Sequence, residues 1–122
     1  MNWIPILIVA AAVMVVFMMK RAGQISSPDA RAYLKNGALV IDVRSPGEFN
    51  SGHLPTALNI PLDEIETTLP RSVKDKSQVL LLHCQSGMRS GMAQQKLKAL
   101  GYTNVFNLGS LGRAESILNQ QS

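Results

Sequence analysis

The sequence predicts an α/β domain with a central, mostly parallel sheet of about five strands flanked by helices, preceded by one transmembrane helix. From residue 24 onward, short apolar runs alternate with helical patterns, which is typical of a parallel sheet whose strands are connected by helices. Residues 79–82 form a continuous apolar run, which indicates a strand covered on both faces. Residues 3–19 contain no charged side chain, which indicates the transmembrane helix.

The uncharged segment divides the chain into a predicted membrane anchor at residues 1–21 and a domain at residues 22–122. As a helix, residues 3–19 would span roughly 26 Å, close to the thickness of a bilayer core. Trp3 at one end, with Lys20 and Arg21 at the other, is typical of membrane interfaces. A cleaved signal peptide is the alternative, but no Lys or Arg precedes the apolar run, and no small-x-small cleavage site follows it.

The charge distribution predicts an orientation and excludes some functions. Both flanking cations follow the apolar segment, so the positive-inside rule predicts a single-pass membrane protein whose domain faces the cytoplasm. Without Lys20 and Arg21, ten basic and eight acidic residues remain, and a net charge of +2 is too small to indicate nucleic-acid binding. A single cysteine excludes an internal disulfide and a cysteine-based zinc site, and His53 and His83 lack further ligands for a metal.

The elements of the domain follow from local signals. Residues 24–26 have the composition of a short edge strand, and Ser27-Pro28 begins a helix that ends at Asn36-Gly37. The remaining predicted elements are a strand at 38–43, a polar turn and short helix at 45–51, a strand at 56–60, a helix at 62–69 that ends before Pro70, the strand at 79–82 and a last helix at 111–119.

The single cysteine, Cys84, lies at the point on which the predicted function depends. It follows the apolar strand and precedes a helix that carries Ala93, Leu97 and Leu100 on one face and ends at Gly101. The carboxyl end of a strand, next to the N-terminus of a helix, is where open α/β sheets carry their chemistry. The alternative is that a lone cysteine is simply a small buried hydrophobic residue.

The loop after Cys84 has the features of an anion site. Backbone N–H groups at the head of a helix are unpaired, and the helix dipole makes that end electropositive. Gly87 allows the backbone to close around an anion, and Arg89 adds a permanent cation. In this setting the pKa of Cys84 is expected to fall below its ordinary range. We therefore expect a thiolate that attacks an anionic substrate.

Three stretches resemble the rhodanese (thiosulfate sulfurtransferase) domain family. Residues 84–89 (Cys-Gln-Ser-Gly-Met-Arg) resemble its active-site loop. Residues 40–44 (Val-Ile-Asp-Val-Arg), Glu48-Phe49 and residues 52–61 (Gly-His-Leu-Pro-Thr-Ala-Leu-Asn-Ile-Pro) resemble its first signature, and residues 101–109 resemble the strand that follows the active-site helix. The resemblance extends from about Ile25 to Leu118, and its parts occur in the family's order.

The resemblance implies a three-layer rhodanese-like fold and a rhodanese-type thiosulfate sulfurtransferase activity. Cys84 would take sulfane sulfur from thiosulfate or a related anionic donor as a persulfide, and would pass it to cyanide or to a thiol or protein acceptor. No cofactor and no metal is implied. Asp42 and Arg44 are expected to support the loop through charge-assisted hydrogen bonds. The residues expected to bind the substrate are Gln85, Ser86, Gly87, Met88, Arg89 and Ser90.

Two other functions stay open at this point. Cysteine phosphatases and arsenate reductases have a similar loop with five residues between Cys and Arg, whereas here the arginine comes one place earlier and Ser90 occupies that position. The other alternative is a membrane-tethered binding or sulfur-carrier module without efficient turnover. Gln85 favours it, because active family members often have a basic residue there. Gly109-Ser110 and Leu111-Gly112-Arg113 also differ from the family's Gly-Gly and following Trp.

Overall fold

The computed structural model describes residues 2–120, and the side chains of residues 17–22 lie outside that description. Short strands alternate with helices along the domain. In chain order the elements are α1 (Ile4–Ala22), α2 (Ser27–Lys35), β1 (Leu39–Asp42), α3 (Pro46–Asn50), β2 (Leu58–Asn59), a 3-10 turn (Leu62–Glu64), α4 (Ile65–Ser72), β3 (Leu80–Cys84), α5 (Met88–Ala99), β4 (Val105–Ser110) and α6 (Leu111–Asn119).

The four strands form one parallel sheet in the order β2-β1-β3-β4. β3 is central and pairs with β1 from Leu39 opposite Leu80 to Asp42 opposite His83. All five residues of β3 are buried, as the apolar run in the sequence predicts. Because the strands are parallel, their carboxyl ends meet at one edge of the sheet, and Cys84 lies at that edge.

Helices cover both faces of the sheet, so the domain has two apolar cores. One core joins Leu80, Leu82 and Cys84 of β3 to α4 and α5; the other joins Leu81 to α2 and α6. Successive side chains of a strand point to opposite faces. Cys84 therefore lies on the α5 face, and His83 lies on the face that carries Leu81. The predicted three-layer α/β architecture is confirmed.

The predicted sheet of about five strands is corrected to four within the described part of the chain. Residues 24–26 contribute only a single parallel bridge between Gln24 and Asn107. The strand stops there because Ser26 is already the N-cap of α2, and its hydroxyl accepts a hydrogen bond from the Asp29 N–H. The helix thus begins one residue earlier than Ser27-Pro28 indicated.

The predicted transmembrane helix over residues 3–19 is not supported. Helix α1 runs from Ile4 to Ala22. Among the residues that the structure describes, however, no helix combines the length and the apolar character that are needed to cross a bilayer.

A β-bulge in β4 shapes the edge of the sheet beside Cys84. Leu82 pairs with Asn107, but His83 pairs with Gly109, so Leu108 has no opposite residue. Gly109 has φ of +92°, a left-handed conformation in which an L side chain is strained. A Cβ on Gly109 would also lie 2.9 Å from Nε2 of Gln24. The backbone at this position therefore requires glycine.

Replacing Gly109 with alanine is expected to lower the free energy of unfolding by about 1–2 kcal/mol, the cost of a side chain in the left-handed region. Urea unfolding measures the loss. The control is Gly112→Ala in α6, where a Cβ would meet no atom within 4 Å and no positive φ occurs. That variant should be at least as stable as the parent chain. Equal stabilities of the two variants would contradict the constraint at Gly109.

Candidate active site

Cys84 is the last residue of β3, and its sulfur faces the loop that leads into α5. The backbone N–H of Gly87 donates a hydrogen bond to Cys84 Sγ at 2.9 Å. The Ser90 hydroxyl lies 3.5 Å from the same sulfur. Gly87 reaches this position because φ of +97° makes it a left-handed N-cap of α5. The helix therefore starts at Met88, and Met88, Arg89 and Ser90 form its first turn.

The surroundings of Cys84 lower the pKa of its thiol. Burial acts in the opposite direction and is the largest single effect, but hydrogen bonds to the sulfur outweigh it. These bonds come from the Ser90 side chain and from the backbone N–H groups of Ser90, Gly87 and Ser86. A lowered pKa means that more of the cysteine is thiolate at neutral pH than in a free peptide. The loop therefore favours the nucleophilic form of the sulfur.

The Cys84 side chain is fully buried. Its exposed fraction is 0 %, whereas the proposed chemistry needs a sulfur that a donor can reach. Cys84 lines neither of two clefts beside the loop. One cleft, of about 380 Å³, is lined by Val43, Ser45, Pro61, Leu62, Asp63, Arg89, Met92 and Lys96. The other, of about 470 Å³, is lined by Gly23, Gln24, Ser86, Gly87, Met88, Gly91, Met92, Gln94, Gln95 and Asn107.

Arg89, the expected cation for the substrate, is paired with Glu48 of α3. Its Nη1 and Nη2 atoms donate to Glu48 Oε1 at 2.6 Å and to Oε2 at 2.9 Å. The Arg89 guanidinium, followed by the backbone N–H of Ser45, lowers the pKa of Glu48 to about 2. Glu48 therefore remains ionised at neutral and mildly acidic pH. The Arg89 guanidinium, which was expected to bind an anionic substrate, is thus paired with a carboxylate of the protein itself.

Glu48 is a site residue whose role the sequence reasoning missed. A local signal for it exists, because Ser45 and Glu48 form a capping box in which each side chain bonds the backbone N–H of the other. The capping box places Glu48 at the head of α3. Its contact with Arg89 spans 41 residues of sequence and has no local signal.

Asp42 and Arg44 form a buried ion pair that reaches the loop after Cys84. Arg44 Nε lies 3.0 Å from both Asp42 carboxylate oxygens, and Nη2 lies 2.8 Å from Oδ2. The remaining nitrogen, Nη1, donates to the side-chain oxygen of Gln85 at 3.2 Å, and Nη2 also donates to the Gly52 carbonyl at 2.8 Å. The contact with Gln85 fits the supporting role predicted for this pair, and that role stays a prediction.

His83 is a buried, neutral neighbour of the same pair. Burial lowers its pKa, and this effect exceeds the opposing influence of the Asp42 carboxylate. Its Nε2 atom has no hydrogen-bond partner within the described chain and lies 3.7 Å from Asp42 Oδ2. Because His83 faces away from the α5 side of the sheet, it has no direct path to the Cys84 sulfur.

Asn107 of β4 is a second site residue that the sequence reasoning missed. Its Oδ1 accepts hydrogen bonds from the Ser90 hydroxyl at 2.7 Å and from the Gly109 N–H at 2.8 Å. Its Nδ2 donates to the Gly87 carbonyl at 3.1 Å. Asn107 is 5 % exposed, so these bonds fix both the loop and the start of α5 from within.

The site brings most of the predicted residues together. Gly87 and Ser90 contact the sulfur of Cys84, and Arg89 forms the ion pair with Glu48 nearby. Met88 is 65 % exposed and points outward. Among residues 2–120, no group of three or more His, Cys, Asp or Glu side chains is placed to hold a metal ion. The arrangement can stabilise a thiolate, and any negative charge that forms on a sulfur attached to it.

The protein is an α/β protein with a parallel sheet and a hydrogen-bonded cysteine at the carboxyl end of the central strand β3. The sequence model of the rhodanese-like domain matches residues 26–111, which is more than half of the chain. The chain belongs to the rhodanese-like domain family.

Two curated proteins and one solved structure illustrate the similarity. Thiosulfate sulfurtransferase PspE of Escherichia coli is 39% identical over 71 residues, which cover 58% of this chain and 68% of that protein. The human thiosulfate:glutathione sulfurtransferase is 35% identical over 102 residues, covering 73% of this chain and 89% of that protein. The solved structure of a human single-domain sulfurtransferase has a TM-score of 0.65 at 33% identity, and covers 82% of this chain and 98% of that one.

Proposed function

We propose that the protein is a rhodanese-type sulfurtransferase that moves sulfane sulfur from thiosulfate, or a related anionic donor, through a Cys84 persulfide to a thiol acceptor. The observation that carries the proposal is the hydrogen bond from the Gly87 N–H to Cys84 Sγ at the head of α5, at 2.9 Å. Two of the relatives named above, PspE and the human thiosulfate:glutathione sulfurtransferase, act on thiosulfate by name, and the second also acts on glutathione by name.

The reaction has two half-reactions. The Cys84 thiolate attacks the outer sulfur of thiosulfate; a new S–S bond forms, the S–S bond of thiosulfate breaks, and sulfite leaves with the electron pair. The acceptor thiolate, or cyanide in an assay, then attacks the outer sulfur of the persulfide and releases the Cys84 thiolate. The N–H groups of Ser86, Gly87 and Ser90 stabilise the negative charge on sulfur in both steps.

Burial of the sulfur sets a condition on the first step. A donor reaches Cys84 only when the loop or the side chains around it move, because the residue has no exposed surface. We expect Arg89 to bind the donor from the cleft that it lines, once its guanidinium exchanges the Glu48 carboxylate for the anion. Glu48 is therefore expected to compete with the donor.

Replacing Glu48 with glutamine is expected to lower the KM for thiosulfate about two- to fivefold, because solvent screens this partly exposed ion pair and only a modest competing interaction is removed. Steady-state kinetics with cyanide as the acceptor measures the change. The control is Glu115→Gln, an equal change of charge at an exposed position on α6, which packs on the opposite face of the sheet. An increased KM in Glu48→Gln would show instead that Glu48 must orient Arg89 for binding.

Intact mass spectrometry tests the proposal directly. The full chain is incubated with thiosulfate, freed of small molecules and weighed. We expect a gain of one sulfur atom, which disappears on addition of cyanide with release of thiocyanate. The Cys84→Ser chain, treated in the same way, should gain nothing. Protein that never takes up sulfur, at any donor concentration tested, would contradict the transferase.

A second candidate function is a binding or sulfur-carrier module without efficient turnover. The observation that favours it is the complete burial of Cys84. The same experiment with a thiol acceptor in place of cyanide separates the candidates: a carrier module keeps its sulfur when the thiol is added, whereas a transferase loses it within a catalytic cycle. A cysteine phosphatase is the weaker alternative, and hydrolysis of an aryl phosphate that requires Cys84 would revive it.

We also propose that the chain is attached to a membrane, with the domain on the cytoplasmic side. Support comes from α1, where large apolar side chains such as Ile6 and Val13 are more than 60 % exposed, and from Lys20 and Arg21, which follow the apolar segment. Fractionation of cells that make the full chain should recover it with the membranes. Recovery in the supernatant, or activity of a C-terminal reporter only outside the cytoplasm, would contradict this location.

A further inference from the structure

The side chain of Asn107 has only one orientation that satisfies its neighbours. The Gly109 N–H must donate to an acceptor, and the amide oxygen of Asn107 lies 2.8 Å from it. The amide nitrogen then faces the Gly87 carbonyl at 3.1 Å, where it donates. With the oxygen fixed in this way, the contact of 2.7 Å between Asn107 Oδ1 and Ser90 Oγ requires the serine hydroxyl to be the donor.

The Ser90 hydroxyl has a single proton and three acceptors within reach. Asn107 Oδ1 is the nearest at 2.7 Å, followed by the Gly87 carbonyl at 3.1 Å and Cys84 Sγ at 3.5 Å. A hydroxyl donates one hydrogen bond at a time. While the proton points to Asn107, the serine presents only lone pairs to the sulfur, and lone pairs favour a thiol over a thiolate.

We infer that Asn107 is a positioning residue that holds the Ser90 proton away from Cys84 and so limits how much of the cysteine is ionised at rest. Ionisation of Cys84 draws the proton toward the sulfur, and the short bond to Asn107 is then given up. The inference concerns the nucleophile of the proposed function, and it rests on that function only for its role in catalysis.

Other charged groups near Cys84 stay the same when Asn107 is changed. Arg89 faces the site from α5 with Glu48 of α3 beside it, and Asp42 and Arg44 form their pair at the end of β1. His83 precedes the cysteine on β3 and is held neutral by its burial. Among its described residues, β4 carries no charged side chain. A change in the ionisation of Cys84 on substitution of Asn107 therefore reports on the hydrogen bonds.

The inference predicts opposite signs for two neighbouring substitutions. Ser90→Ala removes a hydrogen bond that lowers the pKa of Cys84, so that pKa should rise. Asn107→Ser should lower it, with about two- to tenfold more thiolate at neutral pH, the range expected for one net hydrogen bond. Serine keeps the turn, since its hydroxyl can accept from the N–H two residues on, but it is too short to reach Ser90.

The test is a pH titration of the full chain, read by the ultraviolet absorbance of the thiolate. The spectrum of the Cys84→Ser chain is subtracted, and no other cysteine contributes. This readout needs neither sulfur transfer nor access to the buried sulfur, so failure of the inference and failure of the proposed function are distinguishable. Asn104→Ser is the control: it makes the same change at a half-buried asparagine before β4, whose amide donates to the Ser77 carbonyl and not to the Cys84 loop, and it should shift nothing.

Each outcome decides the question. A lower pKa in Asn107→Ser, together with a double variant that behaves like Ser90→Ala alone, is the result expected. A higher pKa in Asn107→Ser overturns the inference, because it shows that Asn107 serves only to hold the loop N–H groups in place. If that variant does not fold, Asn107→Asp replaces it, and the pKa of Cys84 is measured with Ser90 present and in the Ser90→Ala chain. A rise in this pKa that is smaller in the Ser90→Ala chain supports coupling through Ser90. An equal rise in both chains overturns the inference.

Discussion

Replacement of Cys84 by serine is expected to reduce sulfur transfer by more than about a thousandfold, the order of loss seen when a nucleophile is removed. A serine hydroxyl is not ionised at neutral pH and forms no persulfide. Cys84 is the only cysteine of the chain, so no other thiol can replace it. The Gly87 N–H can donate to a hydroxyl as it does to the sulfur, so the loop should keep its shape. The measurement is the rate of thiocyanate formation from thiosulfate and cyanide.

The control for this prediction separates loss of sulfur from damage to the loop. Cys84→Ala removes the hydrogen-bond acceptor as well, yet it should lose the same activity, because both variants lack the sulfur. The two variants should differ only in stability. Turnover in either one above the rate without protein would mean that sulfur does not pass through this residue.

Replacement of Asp42 by asparagine is expected to cost about 3–5 kcal/mol in the free energy of unfolding. Asp42 is 0 % exposed, and it is the counter-ion of an arginine that is itself 3 % exposed. Asparagine keeps the shape but leaves the Arg44 guanidinium as an uncompensated buried charge. Such a charge costs far more than the loss of one hydrogen bond. Urea unfolding followed by circular dichroism measures the change.

Asp75→Asn is the matched control for Asp42. Asp75 accepts hydrogen bonds from the backbone N–H and the hydroxyl of Ser77 at the surface, and it has no buried cation to balance. We expect that substitution to have a much smaller effect. If Asp42→Asn lowers the free energy of unfolding no more than the control does, then the Arg44 guanidinium must reach solvent. Arg44 and Asp42 would then not form a buried pair.

Local signals in the sequence were sufficient for most elements of the fold, whereas β4 was indicated only by the family resemblance. The last helix occupies residues 111–119 as predicted, and β3 includes residues 80–82 of the apolar run. Several boundaries were wrong. The strand expected at 56–60 is reduced to Leu58–Asn59, and the helix expected from residue 62 begins as a 3-10 turn. Residues 24–26 are extended but enter a helix cap before a strand can form. The helix expected to end before Pro70 continues to Ser72, with Leu69 anchored in the core, so packing outweighs the bond that proline cannot donate.

The contacts that tune the site were not accessible to the same reasoning. The cysteine, its glycine and its serine lie within one loop and first helical turn, and short-range rules for helix termini identify them. The partner of Arg89 lies 41 residues earlier, and Asn107 lies 17 residues after Ser90. Both contacts depend on which strands are neighbours in the sheet. Local signals alone therefore indicate a ligand for the Arg89 charge, whereas the fold supplies the Glu48 carboxylate.

The packing of Gln24 affects how the domain should be trimmed for expression. The family match begins at residue 26, so a gene cut to that boundary would omit this glutamine. Its amide packs against the backbones of Gly87 and Gly109 and fills the space that a side chain at either glycine would occupy. A chain cut at residue 26 would therefore lose the side chain that packs behind the Cys84 loop, and weak activity of such a fragment would reflect the missing Gln24 and not the properties of the full chain.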